Sequence, residues 1–144
     1  MPAETPTLVV DASVAAKLWF EESHSEVADR VLKSGNHLVA PDLLFIEVAS
    51  IAAKRVRRRL SPAGEATNAM VASKSFLDDV EPSAGLVDRA FELACNYGVS
   101  AYDGIYLALA EKHHAPVVTA DSKLVARARA AGLGDLVRPL VEFA

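Results

Sequence analysis

The sequence predicts an α/β domain in which helices flank a central, mostly parallel sheet of five strands. Short apolar runs alternate with stretches of helical periodicity, no repeat or low-complexity segment interrupts them, and 51% of the 144 residues are hydrophobic. Because helical stretches separate consecutive strands, each connection is a crossover. Crossovers join parallel strands that are covered by helices on both faces of the sheet.

Five apolar runs are the predicted strands. They cover residues 7–10, 37–40, 76–80, 116–119 and 136–138, and the last of them has the weakest pattern. Each run is short and rich in valine, leucine or phenylalanine, as expected for strands that are buried on both faces.

The helices between these strands have recognisable ends. Ser23 with Glu26 fits a capping box at the start of one helix, and Gly35 follows its end. Gly98 follows the end of a later helix in the same way. Together, the elements predict one domain over residues 7–144, preceded by a flexible segment over residues 1–6.

The composition excludes several classes of protein. A single cysteine, Cys95, makes neither an internal disulfide nor a cysteine zinc cluster, and its apolar surroundings predict an inert buried thiol. No apolar stretch reaches the roughly 18 residues of a membrane span, and the N-terminus lacks the basic region of a signal peptide. We therefore expect a cytoplasmic protein without a membrane partner.

Three aspartates occupy positions where a parallel α/β sheet binds ligands. Asp11 directly follows the first strand, Asp121 follows the fourth, and Asp103 begins an apolar helix. In such folds, ligands bind outside the carboxyl ends of the strands. Each aspartate also fits the alternative of a helix N-cap, so none of them identifies a site alone.

Glu47 differs from the aspartates because it lies inside an apolar helical run. Residues 43–53 are so apolar on all sides that they predict a largely buried helix. A buried carboxylate needs a partner, because an isolated buried charge is strongly destabilising or becomes protonated. A metal ion or a polar cluster is one candidate partner, and a salt bridge to a lysine or arginine is the alternative.

The four acids Asp11, Glu47, Asp103 and Asp121 predict a chemistry if they converge. Four carboxylates in one place repel each other severely without a counter-ion. Oxygen donor sets of this kind select hard cations such as Mg²⁺ or Mn²⁺. Such an ion generates a hydroxide nucleophile and offsets charge on a phosphodiester, so the expected chemistry is metal-assisted phosphodiester hydrolysis.

A concentrated basic stripe follows Glu47. The net charge is −4, yet five of the 15 lysines and arginines lie in six positions: Lys54, Arg55, Arg57, Arg58 and Arg59. At about 100° per residue, Lys54 and Arg58 lie within about 20° of the helix face of Glu47, and the other three point elsewhere. We therefore expect Lys54 and Arg58 to bind a polyanion, with a solvated helix end as the alternative.

Lys17 is a further cationic candidate. It follows Asp11 by one and a half helical turns, which predicts that it approaches the acidic site and holds a carboxylate or a phosphate. An ordinary surface lysine is the alternative at this position.

These motifs resemble those of the PIN-domain ribonucleases, specifically the VapC-type toxins of toxin–antitoxin pairs. The matching segments are residues 9–13 (VVDAS), Glu47 in its apolar helix, residues 102–110 (YDGIYLALA) and residues 119–124 (TADSKL). The resemblance implies a PIN-like three-layer fold. It also implies that the four acids bind the metal and catalyse the reaction, and that the hydroxyls of Ser13 and Thr119 support them.

The resemblance further implies an activity and partners. Members of the family cleave RNA with Mg²⁺ or Mn²⁺, usually as homodimers, and a cognate VapB-type antitoxin blocks the site. We therefore expect a metal-dependent endoribonuclease toxin whose Lys17, Lys54 and Arg58 bind RNA.

Two alternatives remain open. A receiver-like Mg²⁺-binding signalling module also has five strands and an acidic pocket, but it needs adjacent acids after the first strand, where Asp11 is followed by Ala12. A flap-type DNA nuclease uses the same metal chemistry on a different nucleic acid.

Overall fold

Five parallel strands form the centre of the fold. In the computed structural model, which describes residues 5–144, the strands are β1 (Thr7–Val10), β2 (His37–Pro41), β3 (Asp79–Glu81), β4 (Val117–Thr119) and β5 (Val137–Pro139). They form one sheet in the order β3-β2-β1-β4-β5, and all four pairings are parallel. The predicted fold class is confirmed.

Seven α-helices lie among the described residues. They are α1 (Ala12–Ala15), α2 (Ser25–Leu32), α3 (Leu43–Arg57), α4 (Ala63–Ala72), α5 (Val87–Tyr97), α6 (Ala101–His113) and α7 (Ser122–Ala130). None of them is long and apolar enough to cross a membrane.

The strand residues alternate between two apolar cores, which makes the fold three-layered. Leu8 and Val10 face the core built with α1, α2 and α3, whereas Val9 and Val117 face the core built with α5, α6 and α7. Helix α4 lies outside these layers and packs on α3 through a smaller cluster that contains Phe20. Both faces of the sheet are covered, as expected for buried parallel strands.

The edge strand β3 begins later than the sequence predicted. Phe76 and Leu77 belong to the apolar predicted strand 76–80, but they pack against the core beside the sheet and do not pair with β2. Pairing begins at Asp79, and Asp78 accepts a hydrogen bond from the Leu38 amide. Apolarity identified buried residues here, while backbone pairing starts only where the chain turns parallel to β2.

Two local predictions are wrong. Helix α2 begins at Ser25, and its N-cap is His24 in the left-handed conformation (φ 65°), so Ser23 and Glu26 form no capping box. Instead, Ser25 Oγ accepts from the Glu22 amide and donates to the Phe20 carbonyl, which fixes the turn before the helix. Cys95 is exposed, because α5 buries only its Ala90 and Leu93 face.

The strand order decides against one alternative architecture. A receiver-like domain has the order 2-1-3-4-5, in which the first strand lies between the second and the third. Here β1 lies between β2 and β4. This order places the carboxyl ends of β1 and β4 side by side at the centre of the sheet edge, where Asp11 and Asp121 follow them.

Candidate active site

The four predicted acids converge on one pocket. Asp11, Glu47, Asp103 and Asp121 all line a cavity of about 460 Å³ at the carboxyl edge of the sheet. Asp11 and Asp121 come from the ends of neighbouring strands, Glu47 comes from α3, and Asp103 comes from the first turn of α6. Residues that are 110 positions apart in the chain therefore face one space, as the sequence analysis predicted.

Asp11 accepts hydrogen bonds from two hydroxyls. Ser13 Oγ lies 3.1 Å and Thr119 Oγ1 lies 2.6 Å from Asp11 Oδ2. The same hydroxyl oxygens accept from the amides of Ala120 and Asp121, so each hydroxyl hydrogen is directed to Asp11. Although Asp11 occupies the N-cap position of α1, its side chain makes no capping hydrogen bond. Ser13 and Thr119 thus contact Asp11 directly, and their supporting role in catalysis stays a prediction.

Burial raises the pKa of Asp11, and hydrogen bonds from Thr119 and Ser13 oppose that shift. Desolvation disfavours the charged form of a carboxylate, whereas hydroxyl donors favour it. The hydroxyls therefore offset only part of the unfavourable burial of this charge.

Asp121 caps a helix and also lies on the wall of the acidic pocket. Its Oδ1 accepts from the amides of Lys123 (2.9 Å) and Leu124 (3.3 Å), so it is the N-cap of α7. It lines the acidic pocket as well. A capped helix terminus holds this carboxylate at the edge of the pocket without any cation.

Glu47 has a phenol as its partner. The Tyr106 hydroxyl donates to Glu47 Oε1 at 2.6 Å, and Tyr106 is almost fully buried. No lysine or arginine of residues 5–144 forms a salt bridge with Glu47, so the salt-bridge alternative is wrong. Burial raises the pKa of Glu47, the Tyr106 hydrogen bond opposes this, and the charges of Asp11 and Asp103 raise it further.

The helix that carries Glu47 is less buried than expected. Leu44, Val48 and Ala52 form its buried face, while Ile46 is 70% exposed. The apolar run therefore predicted the helix correctly but not its burial on all sides. Glu47 lies at the margin of the buried face, half-buried and accessible from the pocket.

Asp103 lies in the first turn of α6 but does not cap the helix. Ser100 is the N-cap and accepts from the Asp103 amide, which leaves the carboxylate on the pocket wall. Burial raises the pKa of Asp103, the charge of Asp121 adds to the shift, and Arg127 opposes it from 3.5 Å.

Four residues of the site were missed by the sequence analysis, and one of them, Glu22, is a further acid on the pocket wall. Tyr106 lies three positions after Asp103 and thus on the same helix face, which is a signal that the spacing offered. Arg127 and Arg55 offered no such signal, because only the tertiary fold brings them to the pocket. Arg55 lines it, stacks over the Phe20 ring at 4.7 Å and donates to Ser61 Oγ, so the prediction that it points elsewhere is wrong.

The predicted RNA-binding cations separate into two places. Lys54 and Arg58 line the acidic pocket on the same side as Glu47, as their spacing on α3 predicted. Lys17 lines an adjoining recess instead, where its Nζ donates to the Ser23 carbonyl at 2.8 Å.

The donors of the pocket fit a hydrated hard cation. No three acidic, histidine or cysteine side chains in the described part of the chain lie close enough to hold one ion directly. Mg²⁺ commonly binds through only one or two carboxylates and keeps several waters, and a cavity of this volume has room for them. The raised pKa values of Asp11, Glu47 and Asp103 further indicate that their negative charges lack sufficient compensation.

The chain is similar to known proteins along most of its length. The family profile described as PIN domain matches residues 8–130. Ribonuclease VapC3 of Pyrobaculum aerophilum is 39% identical over 119 residues, which cover 81% of this chain and 91% of that protein.

Two solved structures share the fold. The crystal structure of PAE2754 from Pyrobaculum aerophilum has a TM-score of 0.72 at 21% identity and covers 97% of this chain and 98% of its own. A toxin–antitoxin complex from Klebsiella pneumoniae includes a chain with a TM-score of 0.67 at 19% identity, which covers 92% of this chain and 97% of its own.

Proposed function

The chain belongs to the PIN-domain family and, within it, to the VapC proteins, and from that membership we propose that it is a metal-dependent endoribonuclease. It acts as the toxin of a toxin–antitoxin pair in the cytoplasm. Its similarity to Ribonuclease VapC3 supports RNA as the substrate class. The single observation that carries the proposal is the convergence of the four predicted acids, with Glu22 and three cations, on one pocket.

Each group has a role in this proposal. Asp11, Glu47, Asp103 and Asp121 would hold Mg²⁺ or Mn²⁺ together with its bound waters, and Ser13 and Thr119 keep the Asp11 carboxylate oriented. A bound ion supplies a hydroxide nucleophile and offsets the charge that develops on the phosphodiester. Lys54 and Arg58 bind backbone phosphates along α3 and so position the strand over the acids.

A cognate VapB-type antitoxin and a second copy of the chain are the proposed protein partners. The solved toxin–antitoxin complex supports an antitoxin as a partner. Under this proposal the antitoxin inhibits cleavage by covering the acidic pocket. Val87, Phe91 and Tyr102 are exposed around an apolar groove between α5 and α6, and such a patch favours an isologous dimer contact. Light scattering checks this contact: we expect a dimer for the wild type and a monomer for Phe91→Glu, and a monomeric wild type contradicts it.

Cleavage of total cellular RNA by the purified protein tests the proposed activity. We expect cuts that require Mn²⁺ or Mg²⁺, disappear with EDTA and disappear in Asp103→Asn. The matched control is Asp88→Asn, because Asp88 is an exposed acid outside the pocket. A wild type that cuts only DNA, or that cuts RNA equally in EDTA, contradicts the proposal.

RNA-binding measurements at several salt concentrations test the basic side of the pocket, which is formed by Lys54 and Arg58. The double variant Lys54→Ala with Arg58→Ala should bind RNA more weakly and with a flatter dependence on salt, because two phosphate contacts are lost. Arg57→Ala with Arg59→Ala removes the same charge from exposed positions outside the pocket and should retain more of the wild-type affinity and salt slope. If RNA affinity depends on salt equally in the wild type and in the Lys54–Arg58 double variant, these two residues do not contact the RNA.

A further inference from the structure

A second recess adjoins the acidic pocket along the same edge of the sheet. It has a volume of about 270 Å³ and lies at the carboxyl ends of β4 and β5. Asp121 lines both cavities, so they meet at this residue. Lys54 and Arg58 line only the acidic pocket, and Lys17 lines only the second recess. A strand that crosses the acids from the basic side of α3 therefore continues into this recess.

The walls of the recess are mostly apolar. Val125 and Leu140 form its buried floor, and Val141 lies at its surface, where it is 54% exposed. The volume is below the roughly 300 Å³ at which pockets for drug-sized ligands begin, so it suits one small planar group. A nucleobase offers apolar faces of this kind, and a recess of limited size then discriminates among bases by their size and stacking strength, without hydrogen-bond readout.

A cation is held at the rim of this recess. Lys17 Nζ donates to the Ser23 carbonyl at 2.8 Å, and an ammonium group has two further hydrogens to donate. The turn that carries Ser23 is itself fixed by Ser25, which bonds both the Glu22 amide and the Phe20 carbonyl. The cation is therefore positioned by the fold before any ligand arrives.

We propose that this recess binds the base of the nucleotide next to the scissile phosphate, on the side away from Lys54 and Arg58. Lys17 contacts a backbone phosphate of that nucleotide. The inference rests on the proposed ribonuclease activity and deepens it, because a shaped recess beside the cut makes the choice of cleavage site depend on one flanking base.

Cleavage of a random-sequence RNA pool, with both product ends sequenced, tests the recess. Val141→Trp fills its mouth and Lys17→Gln removes its cation. The matched controls are Val71→Trp and Lys74→Gln, which alter exposed residues outside both cavities. Thermal unfolding verifies that all four variants fold.

We expect the wild type to prefer particular bases directly 5′ or directly 3′ of the cut. Val141→Trp should lose that preference and lower kcat/KM by about fivefold, the low end of what a base stacked on an aromatic ring contributes, because no Phe, Tyr or Trp lines the recess. Lys17→Gln should raise KM with little change in kcat. If Val141→Trp does not fold, the KM of Lys17→Gln alone tests whether the recess binds the RNA. Both controls should match the wild type.

Three results would overturn the inference, and they differ from one another. If the wild type cuts RNA and both recess variants keep its flanking preference and KM, the recess does not bind the substrate although the proposed function stands. If the wild type cuts no RNA, the proposed function fails and this inference fails with it. If the variants cut normally but escape the antitoxin, the recess binds a protein partner instead.

Discussion

The two ends of helix α6 carry acids of opposite character. Asp103 in its first turn has a raised pKa, because it is partly buried and faces Asp121. Glu111 in its last turn has a lowered pKa, because the Arg89 guanidinium donates to both of its oxygens at 2.8 and 3.0 Å. One helix thus carries two different acids. The charge of Asp103 at its start is only partly offset by Arg127, whereas the charge of Glu111 at its end is fully paired with Arg89.

The difference lies in the groups that surround each acid. Glu111 receives its cation from the neighbouring helix α5, and this pair remains near solvent. Among the pocket acids, Asp11 and Glu47 receive hydroxyl donors, from Ser13, Thr119 and Tyr106, whereas Asp121 accepts from backbone amides and Asp103 has Arg127 at 3.5 Å. Hydroxyls orient a carboxylate without neutralising it, so the pocket retains negative charge for an external cation.

Glu47→Gln should have the largest effect on activity. We expect kcat/KM for RNA to fall at least about a hundredfold, because even outer partners of a metal site contribute ten- to hundredfold. Stability without metal should be equal or higher, since the amide keeps an acceptor for Tyr106 and removes a repelled charge. Glu111→Gln is the matched control, with wild-type cleavage and a slightly lower Tm. A large loss of Tm in Glu47→Gln would assign Glu47 a structural role instead.

Tyr106→Phe should weaken metal binding without removing a ligand. The phenol orients Glu47 Oε1, so its loss should raise the Mn²⁺ concentration for half-maximal cleavage by about ten- to hundredfold. Activity at saturating Mn²⁺ should largely recover. Tyr97→Phe serves as the control because Tyr97 lies at the end of α5, outside the pocket. An unchanged Mn²⁺ requirement in Tyr106→Phe would show that the hydrogen bond does not position Glu47.

Gly104→Ala should destabilise the fold although alanine is the better helix former. A Cβ at Gly104 would lie 2.8 Å from the Ala90 carbonyl oxygen, so α5 and α6 must move apart. This overpacking typically costs about 1–3 kcal/mol and exceeds the gain in helix propensity. In urea unfolding, Gly64→Ala should instead stabilise, because nothing lies within 4 Å of its added Cβ. Stabilisation by both substitutions would contradict the close approach of the two helices.

The pH dependence of stability should separate the two kinds of acid. An acid whose pKa is raised by folding destabilises the metal-free fold as it ionises. This loss of stability begins as the pH rises above the ordinary pKa, which is 3.8 for Asp11 and Asp103 and 4.5 for Glu47. The metal-free Tm of the wild type should therefore fall between pH 4.5 and 7 more than that of Glu47→Gln. Glu111 contributes the opposite sign, because its lowered pKa makes its stabilisation decline only under acid conditions.

Differential scanning fluorimetry across this pH range measures both effects. Mn²⁺ should raise the Tm of the wild type more at pH 7 than at pH 4.5, since the ionised acids bind it. Glu111→Gln should keep the wild-type slope above pH 4.5. If the metal-free Tm of the wild type and of Glu47→Gln changed equally with pH, the charge of Glu47 would not destabilise the metal-free fold, contrary to our expectation.

Much of this fold and site was predictable from two features of the sequence. These are the periodicity of its apolar residues and the position of its acids relative to the predicted strands and helices. Short apolar runs separated by helical patterns fixed the parallel sheet, and parallel strands place their carboxyl ends together. Asp11 and Asp121 were identifiable as ligand candidates for that reason. Lys54 and Arg58 followed from helical spacing relative to Glu47.

The remainder depends on tertiary contacts that no local pattern encodes. Apolarity made Cys95 and the whole of the Glu47 helix look buried, but burial is decided by which face meets another element. Arg55 reaches the pocket because its guanidinium stacks on Phe20 from a different segment. The spacing of Tyr106 from Asp103 was one signal for it, yet only the tertiary fold brings its hydroxyl on α6 to Glu47 on α3.

Calorimetric titration with Mn²⁺ tests the central claim most directly, because it needs no RNA and no antitoxin. The wild type and Glu111→Gln should bind Mn²⁺ with similar affinity at pH 7, and Asp103→Asn should bind at least about tenfold more weakly. That result would tie the under-compensated end of α6 to a metal. Equal Mn²⁺ affinity in the wild type and Asp103→Asn, or no binding by the wild type, would contradict the account.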